Sequence, residues 1–347
     1  MNVSFRGWLT IITLGLLAIV VVAAWPEIVK AWLLLGQVNI SILLLLIPVQ
    51  FFSYYATGGM IFSYLRAKGN LKDMSHWGTT RLALELNFVN HILPSGGAAG
   101  FSYLAWVLGR HKVSASRSTM AQLIRFVLTF VSFIMLLVLA VIILIFEHQI
   151  DRTIVFIAIA LVVGAVAVLS LVIWLIKSKR HLERFSAWLT RVSNAFVTWI
   201  TRGKKKNVVK GAIILEFFEG LHDDYLAIRR DRKILIVPYI WATLANVLDV
   251  ALLWIAFWSL GYPLDAALLF IAFGVASITS AISVTPGGAG VYEAVMVAFL
   301  AASGVTAEVA IAGTLLARIT LLAGTIGFGY VFYQLTILKY GKRTADS

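Results

Sequence analysis

The chain has 347 residues, 61% of them hydrophobic and only 13% charged, with a mean hydropathy of +0.92. That composition excludes an ordinary soluble domain and places the chain among polytopic membrane proteins. The net charge of +13 therefore bears on membrane orientation rather than on nucleic acid, and the absence of cysteine excludes disulfides, thiolate metal sites and thiol catalysis.

A bilayer core is crossed by about 20 consecutive apolar residues in a helix. In chain order, residues 8–25, 38–65, 118–146, 153–176, 233–260 and 306–337 meet that requirement and are read as six spanning helices. The first of them has the length of a secretory leader, but Trp25-Pro26 and many further spans follow, so it is read as a retained helix. Residues 76–110 and 264–302 are also apolar, yet each is split midway by a proline-glycine cluster, and each is read as a re-entrant helical hairpin. The expected fold is an all-α polytopic membrane protein built as an inverted repeat. The first repeat is 1–176 with hairpin 76–110, a cytoplasmic basic amphipathic segment covers 177–232, and the second repeat is 233–347 with hairpin 264–302.

Charge supports the re-entrant reading. With the N-terminus in the cytoplasm, Arg6, the Arg66/Lys68/Lys72 loop, Arg110/Lys112/Arg117, the basic segment from Lys177 to Lys233 and Lys339/Lys342/Arg343 all fall inside. Of the 29 basic residues, only Lys30 and Arg152 fall outside, and only Arg81, Arg125 and Arg318 lie within apolar runs. Letting either hairpin span the bilayer inverts every later loop and destroys this asymmetry. Both termini are accordingly expected in the cytoplasm, in an inner-membrane setting. Within the basic segment, Leu182, Phe185, Trp188, Leu189, Val192, Phe196 and Trp199 recur at helical spacing, which predicts a helix resting its apolar face on the inner leaflet. Lys204-Lys205-Lys206 would then face anionic lipid.

The two split segments share a motif. Pro94-Ser95-Gly96-Gly97-Ala98-Ala99-Gly100 parallels Pro286-Gly287-Gly288-Ala289-Gly290, and the separation from Pro94 to Val113 equals that from Pro286 to Val305. Asp73 and Asp265 precede the two prolines by equal distances, and Arg125 and Arg318 follow the two valines at offsets that differ by one residue. Glycine permits a sharp turn, proline ends the incoming helix, and the outgoing helix begins with unpaired amides. The amides of Gly96, Gly97 and Ala98 and of Gly287, Gly288 and Ala289 thereby form two opposed positive helix ends suited to a phosphate or another anion. The alternative is a packing device whose amides are met by Ser95, Thr285, Ser102 or Asn90.

Intramembrane ionisable residues are costly, so they mark candidate sites. Arg125 and Arg318 lie roughly 18 Å along their helices, too deep for easy snorkelling. They read either as bidentate phosphate donors or as structural partners of Glu85 and Glu293. Glu293 has no counterpart after the first break; it is read as a coupling-proton carrier, a partner for a cationic head group, or a salt-bridge partner of Arg318. The substrate-binding candidates are thus Pro94, Ser95, Gly96, Gly97, Arg125, Pro286, Gly287, Gly288, Glu293 and Arg318. Glu85, Asn90, His91, Asn246 and Asp249 are further polar candidates for the same cavity. No catalytic motif is present, and His222-Asp223-Asp224 reads as a solvated helical face rather than a metal site, because adjacent helical residues point apart. No metal and no cofactor are expected.

At PSGGAAG (94–100) followed by LGRHKVSAS, at FFEGLHDDYLAIRRDRK (217–233), and at TPGGAGVYEA (285–294) followed by LAASGVTAEVA and LLARI, the chain resembles a flippase-like family. It is typified by the transmembrane region of bacterial lysylphosphatidylglycerol synthases. The likeness covers nearly the whole chain and implies translocation of lipid between leaflets. The synthases carry a large soluble domain after the membrane region, whereas this sequence stops at Ser347, so the resemblance does not carry aminoacyl transfer over. The expected function is transport of an anionic phospholipid or polyprenyl-phosphate lipid, with membrane lipids as partners and no nucleic acid; a homo-oligomer is compatible with the sequence. The competing expectations are an exporter of a small amphipathic solute and a non-catalytic scaffold for a separate enzyme.

Overall fold

Hydrocarbon offers no hydrogen bonds, so a chain of this composition must pair its backbone within helices, and all regular structure among the described residues is helical. The computed structural model describes residues 33, 36–72, 74–92, 98–146, 152–200, 211–282 and 290–340. A single turn, α1 (Ile40–Leu43), is capped by Asn39, whose side chain accepts from Ser41 N and Ile42 N, and leads into α2 (Leu46–Ala67). Then come α3 (His76–Ile92), α4 (Ala98–Gly109), α5 (Ala115–Phe146), α6 (Arg152–Lys177), α7 (Lys179–Ile200) and α8 (Gly211–Arg230). A 3₁₀ turn (Arg232–Leu235) introduces α9 (Ile236–Ser259), followed by α10 (Ala266–Ile282), α11 (Val291–Ala302) and α12 (Ala307–Tyr340).

Among the described residues, four helical stretches are long and apolar enough to cross a membrane: Ile40–Ala67, Ala115–Ile143, Arg232–Ser259 and Ala307–Leu338. They coincide with four of the six expected spans. The expected span at 153–176 falls on α6, whose described apolar stretch is Ile159–Leu171, and the expected span at 8–25 lies outside the described residues. Each expected hairpin contains two helices, α3 with α4 and α10 with α11, and the intervening residues 93–97 and 283–289 lie outside the described residues.

Two series of four helices follow the same length pattern. Helices α2 to α5 have 22, 17, 12 and 32 residues, and α9 to α12 have 24, 17, 12 and 34. Pro48 in α2 and Pro238 in α9 both sit in the first turn, where the missing N–H costs nothing. The series interlock: α2 packs along α9, α3 crosses to α12, and α10 crosses to α5. Close approaches tighten this weave. A Cβ at Gly313 of α12 would meet the Phe257 ring of α9, and one at Gly324 would meet the Gln50 amide of α2. Gln50 in turn donates to Leu321 O at 2.7 Å, tying α2 to α12.

Among the described residues, two large apolar cores result, beside two smaller clusters. One joins α2 to α5 with α8, around Met60, Tyr64, Leu86 and Leu104; the other joins α5 with α9 to α12, around Leu137, Phe257, Ile271 and Met296. Large apolar side chains on α5, α6 and α12, such as Leu139, Val163 and Val331, remain exposed, as a lipid-facing surface requires.

The basic segment differs from expectation. The apolar stripe of α7 does not lie wholly on a leaflet: Leu182, Phe185 and Leu189 pack against α8, where Phe185 meets Phe218 edge to face, while Trp188 and Val192 stay exposed. Helix α8 supplies a second apolar face in the same segment, and protein packing takes precedence over lipid for that part of the stripe. Asp224 is also not on a solvated face. It is buried and accepts from Arg117 Nη2 at 3.4 Å, docking α8 onto the start of α5. The lysine cluster at 204–206 lies outside the described residues.

Candidate functional site

The interlocked helices enclose a cavity of about 320 Å³. Helix periodicity selects its polar lining: Ser53 and Thr57 lie one turn apart on α2, and Asn246 and Asp249 three residues apart on α9. Arg125 and Thr129 are one turn apart on α5; Asn87 of α3, Ser277 and Ser280 of α10, Tyr292 of α11 and Arg318 of α12 complete it. Four sequence candidates, Arg125, Asn246, Asp249 and Arg318, therefore line one space although they come from three helices far apart in the chain.

The two arginines are held differently. Arg318 Nε lies 2.8 Å from Glu293 Oε1, and its guanidinium stands 5.3 Å from the centre of the Tyr292 ring. Glu293 is doubly engaged, because its Oε2 accepts from Gly290 N at 2.6 Å and so caps α11. Gly290 adopts φ +85°, a conformation that glycine enters without a Cβ clash. Arg125 has no such arrangement: among the described residues no carboxylate forms an ion pair with it, and its buried Nε has no hydrogen-bond partner. Its guanidinium stands over the Phe126 ring, at 4.6 Å.

Asp249 is the acidic side chain in the lining. Ser53 Oγ donates to its Oδ1 at 2.6 Å, and no lysine or arginine of the described residues pairs with it. Asn246 Nδ2 donates to Thr129 O at 3.0 Å, which leaves the amide oxygen as an acceptor.

Glu85 is placed elsewhere. It is 1% exposed and accepts from Arg81 Nε at 2.9 Å, Tyr103 OH at 2.6 Å and Thr336 Oγ1 at 2.8 Å, a network that fastens α3 to α4 and α12. Its partner is therefore Arg81, one helical turn away, and neither deep arginine. Asn90 is outside the cavity lining; its Oδ1 is buried without a partner among the described residues, and its amide sits where a Cβ at Gly100 would fall. His91 lies in the last turn of α3. Pro94, Ser95, Gly96 and Gly97, and Pro286, Gly287 and Gly288, lie outside the described residues. Among the described residues, no group of three metal-ligating side chains converges.

Sequence reading missed Ser53, Tyr54, Thr57, Thr129 and Tyr292 in the lining. The hydroxyl residues at 53 and 57 carry a faint signal, one polar face within an apolar span. Tyr54 is committed to the scaffold, since Gln50 Nε2 donates to its hydroxyl at 2.8 Å and Thr325 Oγ1 also bonds it.

Residues 11–329 match the family described as the lysylphosphatidylglycerol synthase TM region. The chain belongs to that family. It is also similar to two UPF0104 membrane proteins of Methanothermobacter thermautotrophicus. One is 24% identical over 236 residues, 67% of each chain, and the other 25% identical over 263 residues, 72% of each. Membership of this membrane-protein family and the apolar helices together make the chain an integral membrane protein.

Proposed function

We propose that the chain moves a phosphate-bearing anionic lipid between the leaflets of the cytoplasmic membrane, without changing it chemically, and that Arg125 holds the phosphate. The observation that carries this reading is Arg125 itself, a cavity-lining arginine whose Nε is buried without a hydrogen-bond partner and which has no carboxylate partner among the described residues. Burying an uncompensated charge costs several kcal/mol, roughly the loss seen when one partner of a buried pair is removed, so a site of this kind favours an anionic occupant. Guanidinium geometry suits phosphate.

In this reading the two four-helix series form an inverted-topology repeat, α3–α4 and α10–α11 are re-entrant hairpins, and six helices cross the membrane with both termini cytoplasmic. The matching helix lengths, the crosswise packing and the charge asymmetry support it. Cysteines placed singly at Lys68 and Asp265 should react with an impermeant reagent from opposite sides; labelling from one side overturns the topology.

Function is tested with purified protein in liposomes holding a head-group-labelled phospholipid. Leaflet exchange is expected with the lipid recovered unmodified. Arg125→Gln should slow exchange about a hundredfold, as for the loss of a buried charge partner. Removing the phosphate should weaken exchange more than shortening a hydrocarbon chain. A covalently altered lipid, or no exchange by well-folded wild-type protein, overturns the reading.

A further inference from the structure

We propose that Asp249, with Ser53, Thr57 and Asn246, forms an exchange site for a monovalent cation, a proton or Na⁺, that shares the transport cavity with the lipid phosphate. The inference rests on reading the cavity as the transport site. It assigns to Asp249 the coupling role that the sequence alone left open for Glu293, because Glu293 is engaged with Arg318 and with the start of α11.

The side chains on this wall are of the oxygen-bearing types that hard cations take as ligands. Helices α2 and α9 pack along each other and contribute acceptors to the cavity: the Asp249 carboxylate, the Asn246 amide oxygen and the Ser53 and Thr57 hydroxyl oxygens. The Asn246 nitrogen donates to Thr129 O and the Ser53 proton is used on Asp249, which leaves the Asp249 carboxylate, the Asn246 amide oxygen and the hydroxyl oxygens with lone pairs for a ligand. A carboxylate in a membrane-embedded cavity with, among the described residues, one hydrogen-bond donor and no ion-pair partner is balanced at close range by a proton or a bound cation.

Other titratable groups do not replace it. Those lining the same cavity are Tyr54 on α2, Arg125 on α5, Tyr292 on α11 and Arg318 on α12. Helix α10 contributes Phe273, Ser277 and Ser280, and α3 contributes Asn87, none of which titrates. Arg125 and Asp249 thus face one space without forming an ion pair with each other, an arrangement that takes up an anion and a cation together and leaves little net charge to cross the bilayer.

Cation binding is read first, without transport. Purified full-length protein is unfolded thermally in NaCl against choline chloride at constant ionic strength, and then across pH in choline chloride. Wild-type protein should be stabilised by Na⁺ or by protons. Asp249→Asn, of nearly the same shape, should weaken that response at least about tenfold, as expected when a carboxylate in a low-dielectric site becomes a neutral amide. Asp249→Glu should keep a response with a moved midpoint, which guards against loss through misfolding. In liposomes the same cation, imposed as a gradient, should drive lipid exchange in wild type and fail to drive it in Asp249→Asn. Equal responses in wild type and Asp249→Asn, or none in wild type, overturn the proposal. So does an Asp249-dependent response to ethanolamine phosphate with none to Na⁺ or protons, since the cation would then belong to the substrate. Loss of lipid exchange with the cation response intact overturns the proposed function alone; lipid exchange that persists without any Asp249-dependent response overturns this inference alone.

Discussion

Helices α3 to α5 and α10 to α12 follow one plan of lengths and packing, yet they neutralise their buried charge in different ways. In the first series the acid sits on the incoming helix, where Glu85 meets Arg81 one turn earlier and is sealed by Tyr103 and Thr336. In the second it sits on the outgoing helix, where Glu293 caps α11 and reaches Arg318. With the carboxylate on a different helix of each series, Arg125 has no ion-pair partner among the described residues while its counterpart Arg318 has one. Two similar scaffolds thereby present one arginine open to an anion and one already compensated.

The sharpest way to break this difference is to give Arg125 the acid it lacks. Thr129→Glu puts a carboxylate one turn along α5, on the cavity side. An ion pair at about 4 Å in a site of effective dielectric near 20 is worth roughly 4 kcal/mol, so phosphate-lipid binding should fall by at least about a hundredfold. Thr129→Gln, similar in size and uncharged, should retain most binding, measured by retention of a labelled lipid on purified protein. Equal loss in both variants would trace the effect to bulk.

The converse change removes the counterion from the second series. Glu293→Gln keeps an oxygen for the Gly290 amide and releases Arg318 from its carboxylate. Affinity for the phosphate lipid should rise about tenfold, equivalent to about 1.4 kcal/mol. Unchanged affinity in a stable variant would mean that Arg318 does not reach the ligand.

The smallest effect is expected at a pair remote from the cavity. Arg117→Ala removes the partner of buried Asp224, and the part-exposed position of Arg117 limits the cost to about 1–3 kcal/mol. Thermal stability should drop by several degrees, with lipid affinity per folded molecule unchanged. A fall in affinity would couple the α7–α8 layer to the site.

Much of this protein is legible in its sequence. Hydrophobic run length marks α2, α5, α9 and α12, and the proline-glycine clusters lie between α3 and α4 and between α10 and α11. Those features are local: they depend on backbone satisfaction in hydrocarbon and on residues close in the chain. The fate of the acids divides. The pairing of Glu85 with Arg81 one turn earlier on the same helix is local and open to helical spacing, whereas Asp224 reads as solvated until α8 docks on α5. Asp249 carries no local sign that Ser53, from a helix almost two hundred positions earlier, is its partner. Composition and periodicity by themselves determined an all-helical membrane protein with long apolar helices and arginines within apolar runs. Tertiary structure alone decided which side chains pair between helices and which face the cavity, because such pairing is set by the helices' crossing and rotation, quantities that no single helix encodes.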